Sequence, residues 1–175
     1  MRARTLRAQW LAIAICCMNA ACTRPGDAAT ADAAAQADAA PAVEYLTSAL
    51  TEGLGLPFSE SARVGDLILL SGMVGVRPGT LELVPGGMEA ESRQTLANID
   101  IMLGAAGASR SDVVKCTIML DDMSQWSRFN EIYGEFFGTH RPARSAFGTD
   151  GLALGAAVEI ECIATAPRRS IGSEP

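Results

Sequence analysis

The sequence predicts an α+β domain built on one mixed sheet with two helices on one face. Three observations predict it. Apolar residues recur at helical spacing in two segments, 88–106 and 124–137. Two other segments, 112–120 and 157–165, alternate as half-buried strands do. These four segments interleave along the chain, which places helices between strands rather than after them.

The elements follow in order. Asp66–Ser71 is a short apolar strand, entered through Arg63-Val64-Gly65 and left through Gly72. Arg77-Pro78-Gly79-Thr80 is a turn, and Leu81–Val84 a second strand in a hairpin with what precedes it. In the first helix Leu96, Ile99, Leu103 and Ala106 share a face. Glu89, Glu91, Arg93 and Asp100 lie mostly opposite, and Gly107 suits the C-terminal cap. Along 112–120, Val114, Cys116, Ile118 and Leu120 point one way and Val113, Lys115, Thr117 and Met119 the other. Asp121-Asp122 suit a helix cap. Trp126, Phe129, Tyr133 and Phe136 form the stripe of the second helix, which Gly138 stops. A short strand near 144–148 and a loop over 149–155 follow. In the last strand Val158, Ile160, Cys162 and Ala164 face the helices, leaving Glu159, Glu161 and Ile163 on the other side. That half-apolar outer face invites a second copy of the chain.

The ends read differently. Residues 1–21 combine Arg2, Arg4 and Arg7 with an apolar run from Trp10 to Met18 and small residues before Cys22. This is the pattern of an export signal with Cys22 as a lipidated first residue, so the expectation is an exported, periplasmic lipoprotein touching membrane only through that anchor; the alternative is ordinary cleavage near Ala21, giving a soluble exported protein. Residues 22–42, rich in Ala and Asp, read as a disordered tether to a domain over 43–166, with 167–175 a flexible tail. The formal charge is −6. Without residues 1–21, 11 basic side chains face 20 acidic ones. An acidic surface without a basic stripe argues against nucleic acid as a partner. Cys116 and Cys162 are the only cysteines after Cys22; export makes a disulfide a question, but both sit in apolar strands and read as free thiols acting as small hydrophobes. No cysteine or histidine cluster suggests a metal.

The chemistry-bearing residues are Arg144, just after the turn at Arg141-Pro142, and Glu159 on the closing strand. A guanidinium fork matches a carboxylate in two parallel hydrogen bonds. A strand glutamate beside it can hold and activate water, and its neighbour Glu161 would raise its pKa. The alternative is that Arg144 simply pairs with Glu159 or Glu161. His140, the only histidine, sits in a polar turn and reads as helix-terminal or surface.

Several blocks in order resemble the reactive intermediate deaminase (RidA/YjgF, L-PSP) family over about 54–166. They are Pro57-Phe58-Ser59-Glu60, Val64-Gly65-Asp66-Leu67, Leu70-Ser71-Gly72 and Val84-Pro85-Gly86-Gly87, then Gln94–Ile99, Gly104–Ser109 and Asp112–Lys115, then Phe129–Tyr133, Arg141–Ser145 and Val158–Glu161. The resemblance implies a chorismate-mutase-like fold and a homotrimer with clefts between subunits. It implies hydrolysis of 2-aminoacrylate-type imines and enamines to 2-keto acids and ammonia, with no cofactor. It assigns the substrate carboxylate to Arg144 and the water and departing nitrogen to Glu159. Phe58 and the Ser71-Gly72 backbone would line the cleft, with Asn130 and Ala146 nearby. This chain departs from the family where Phe58 replaces a common tyrosine, Ala146 a cysteine or threonine, and Ala153 a proline. A second reading is a non-catalytic trimer that binds small carboxylates.

Overall fold

The computed structural model describes residues 42–165. The signal, Cys22, the tether except its last residue, and the tail lie outside the described residues.

Seven strands form one sheet: β1 (Val43–Leu46), β2 (Ser61–Val64), β3 (Leu67–Leu70), β4 (Met73–Val74), β5 (Val113–Leu120), β6 (Ala143–Gly148) and β7 (Val158–Thr165). Their spatial order is β1-β2-β3-β7-β5-β6, with β4 also paired to β7. All pairs are antiparallel except β5 with β6, so the sheet is mixed, as expected. The helices are α1 (Gly87–Ala105) and α2 (Trp126–Phe137). The core lies between helices and sheet, built from Leu96, Ile99, Leu103, Phe129 and Ile132 against Ile68, Ile118, Leu120, Val158 and Ile160, all 1 % exposed or less.

Four sequence expectations are corrected. Leu81–Val84 forms no strand; a single bridge, Val76 to Leu83, stitches that loop. The Pro85-Gly86-Gly87 break leaves too few residues for a ladder. A bulge between Val113 and Lys115 shifts the alternation of β5, so Val113 is buried and Val114 exposed, the reverse of a continuous pleat. Glu91 is not on a solvated face: it is buried, and its carboxylate accepts from the Ala157 amide at 2.7 Å. Cys116 and Cys162 are not free thiols. They stand directly opposite one another on β5 and β7, Cα atoms 4.1 Å apart, and form a disulfide. Shared burial on one apolar face was visible in the alternation; adjacency was not, because the pairing register links residues 46 apart.

α1 positions the segments that flank the site. Its buried Asn98 donates to the backbone carbonyls of Val74 (3.3 Å) and Val76 (2.9 Å), and Gln94 Nε2 donates to the Asn98 side-chain Oδ1 at 2.8 Å. Between those carbonyls Gly75 presses on the helix: a Cβ there would lie 2.7 Å from the Glu91 Cα. Gly75→Ala should therefore lower the unfolding free energy by about 2 kcal/mol, because backbone rather than a side-chain tip must move. Urea unfolding of the variant checks this, and unchanged stability would show that α1 does not sit so close.

Candidate active site

Arg144 lies on β6 at the position paired with Cys116, on the face that the helices cover. The i, i+4 and i+7 residues of α2, Trp126, Asn130 and Tyr133, turn toward it. The Asn130 side-chain oxygen accepts from the Arg144 guanidinium at 2.7 Å. The guanidinium carbon stands 4.7 Å from the Trp126 ring centroid and 4.8 Å from that of Tyr133, within cation–π range. No carboxylate among the described residues pairs with it. A cleft of about 380 Å³ adjoins it, lined also by Phe137, His140 and Pro142. Burial pushes the Tyr133 phenol up to about 12, against the pull of Arg144, so it stays neutral beside the cation. His140 is partly buried and anchored, with Nε2 2.7 Å from the Val113 carbonyl oxygen. Ala146 is two residues along β6 and half-buried against the core.

Glu159 is elsewhere. It pairs in register with Met119 and Val74, and its neighbours Val158 and Ile160 point into the core, so Glu159 faces the outer side of the sheet. Its carboxylate lies against Gly72, where a Cβ would overlap it. Burial, and secondarily Glu161, hold its carboxyl above the ordinary glutamate value. Just before Gly72, the Ser71 hydroxyl donates to the Ser59 carbonyl at 2.7 Å and the Ser71 amide to the Glu60 carbonyl at 2.8 Å. Phe58, 54 % exposed, lines an adjacent groove with Ser71.

The expected residues thus fall into two groups. Arg144, Asn130 and Ala146 share one face; Phe58, Gly72 and Glu159 share the other. Within one chain Arg144 meets neither Glu159 nor Glu161, because β5 lies between β6 and β7 and the side chains project oppositely. Sequence reasoning assigned Trp126 and Tyr133 to the core and missed that they cradle Arg144. Their seven-residue spacing about Asn130 was the available signal.

Residues 54–166 match the family model described as Endoribonuclease L-PSP. This chain belongs to the RidA/YjgF family. The RidA/YjgF chain is 43 % identical over 108 residues to the 2-iminobutanoate/2-iminopropanoate deaminase of Mus musculus, a match covering 62 % of this chain and 80 % of that protein. It is 42 % identical over 109 residues to the chloroplastic Reactive Intermediate Deaminase A of Arabidopsis thaliana, covering 62 % of this chain but only 58 % of the plant protein's length. Among solved structures, RidA from an Antarctic Psychrobacter superposes with a TM-score of 0.65 at 32 % identity, covering 70 % of this chain and 98 % of that one. A Rid-family protein from Yersinia pestis does so at 0.67 and 34 %, covering 71 % and 100 %.

Proposed function

We propose that this protein hydrolyses 2-imino acids, and the enamines that tautomerise to them, to 2-keto acids and ammonia. The observation that carries the reading is the state of Arg144: a guanidinium oriented by Asn130 and two aromatic rings, with no carboxylate among the described residues to neutralise it. A cation so held is preorganised for a carboxylate supplied from outside. The names of the relatives support the choice of reaction.

The two half-sites lie on opposite faces of the sheet, so the working site joins two copies. Arg144 of one protomer would grip the substrate carboxylate, setting the C=N carbon beside Glu159 and Gly72 of its partner in a homotrimer. The outer face carries half-exposed Leu67 and partly buried Met119 and Ile163, which a second copy would cover. Glu159 takes a proton from water as the oxygen adds to the C=N carbon. That proton passes to the nitrogen to give a neutral carbinolamine, whose hydroxyl proton then moves by way of Glu159 to the same nitrogen as the C–N bond breaks, leaving a ketone and ammonia. Phe58 supplies no hydroxyl to this step, so the acid–base work falls on Glu159.

The test couples an amino-acid oxidase to ammonia release in the presence of purified protein. Faster release than in buffer supports the deaminase. Saturable binding of 2-keto acids without any rate gain would replace it with the carboxylate-binding trimer. The acid limb of kcat/KM should also report Glu159. Only the carboxylate accepts the proton, so the rate rises with pH through a midpoint above the ordinary glutamate value. Glu161→Gln should move that midpoint down, and a limb that persists in Glu159→Gln would assign it to another group.

The same reading extends to location. Residues 1–22 fit an exported lipoprotein anchored at Cys22, and a buried disulfide fits an oxidising compartment.

A further inference from the structure

Next to Gly72, on the side of the sheet that Glu159 faces, lies a groove. It runs from Ser71, next to Gly72, past Phe58 and Ser59 to Ala62, Leu69 and Tyr45, enclosing about 480 Å³. Three of its walls are large apolar side chains that solvent reaches: Tyr45 at 70 %, Phe58 at 54 % and Leu69 at 40 % exposed. They come from different elements. Tyr45 stands on β1 at the position paired with Ala62, which is in turn paired with Leu69 on β3; Phe58 lies in the loop before β2. Tyr45 also lies before the stretch that matches the family model, which begins at residue 54.

The polar atoms nearest the reacting end are already engaged. The Ser71 hydroxyl and amide donate to the Ser59 and Glu60 carbonyls, and Ser61 is buried. A groove whose Ser71 end is internally hydrogen-bonded and whose open surface is mainly aromatic and aliphatic selects apolar ligand atoms. Its volume falls in the range of about 300–1,000 Å³ that accommodates ligands far larger than a three- or four-carbon imino acid. With the substrate carboxylate at Arg144 of the partner copy and the C=N carbon at Glu159, the groove begins at Ser71, one residue from the Gly72 that Glu159 touches, and is placed to take the substrate's own side chain.

We propose that Tyr45, with Phe58 and Leu69, forms a side-chain pocket that makes this protein selective for 2-imino acids bearing a large apolar or aromatic substituent. This deepens the deaminase reading and rests on it for the chemistry, but the pocket itself is testable by binding alone.

The experiment uses the purified full chain and two probes of each kind: imino acids generated from phenylalanine and from alanine, and the unreactive products phenylpyruvate and pyruvate. The expected result is a kcat/KM at least tenfold higher for the phenylalanine-derived imine, and an affinity for phenylpyruvate at least tenfold above that for pyruvate. Tyr45→Ala should shrink both ratios about fivefold to tenfold, whereas Arg144→Ala should abolish turnover and binding of all four. Light scattering on each variant reports its assembly. Equal handling of the large and small probes by the wild type overturns the pocket. So does a Tyr45→Ala variant that keeps the ratios while losing assembled mass, which would make Tyr45 an interface residue. If neither imine is turned over but phenylpyruvate still binds preferentially and loses that preference in Tyr45→Ala, the deaminase reading falls and the pocket stands.

Discussion

Arg144→Ala is expected to lower kcat/KM for imine hydrolysis at least a hundredfold while leaving the fold intact. The magnitude follows from what is lost. A bidentate charge-assisted contact to a carboxylate contributes about 3 kcal/mol in a partly desolvated site, and positioning of the C=N carbon is lost with it. Folding should survive because Arg144 makes one hydrogen bond, to Asn130, and no ion pair among the described residues. The sharper form of the test uses the separation of the half-sites. Glu159→Gln should be similarly inactive, for an independent reason. When the two inactive variants are mixed and allowed to exchange chains, about a quarter of the clefts in a randomly assembled ring regain both groups from different copies. Ammonia release should return to about a quarter of the wild-type rate. Mixed variants that stay inactive despite proven exchange would mean that Arg144 and Glu159 never serve one substrate.

Replacing both Cys116 and Cys162 by alanine should lower the unfolding free energy by about 3 kcal/mol and Tm by roughly 10 °C. The disulfide closes a loop across 46 residues that includes all of α2 and β6, and a loop of that size gives about 4 kcal/mol in the chain-entropy account. It also lies beneath the strand position of Arg144, since Arg144, Cys116 and Cys162 are neighbours across β6, β5 and β7. Thermal unfolding with and without reductant, on wild type and double variant, checks the claim. A wild type whose Tm ignores reductant even after full unfolding and reduction would contradict it.

How far the sequence reveals these features depends on which interactions produce them. Both helices, β5 and β7 were legible because each carries a periodic apolar pattern long enough to exclude the other period, as Leu96, Ile99 and Leu103 do on α1. β1, β2 and β4 were not, because strands of two to four residues hold too little pattern and are fixed by their partners. The facing of Val113 was misread because a bulge adds a residue without any Gly or Pro to announce it. Glu91 looked like surface on the same logic that placed Glu89 there; its burial depends on the Ala157 amide, which sits 66 residues away. Arg144 and Glu159 were found by chemical type and motif. The outward facing of Glu159 was legible in the alternation of β7; that Arg144 faces the other way follows from its register with Cys116 on β5, which no local pattern encodes.

The contact between Glu91 and Ala157 has a consequence for the reaction. The residues leading into β7 belong to no long ladder, and such a segment would ordinarily sample many conformations. Here a buried carboxylate grips the Ala157 amide, two residues before Glu159, while Asn98 grips the carbonyls of Val74 and Val76 just beyond Gly72. Glu159, the proposed general base, and the backbone it leans on are therefore pinned to the same helix before any ligand arrives. Little ordering is left for the substrate to induce, and its interaction energy is free to act on the bond being broken.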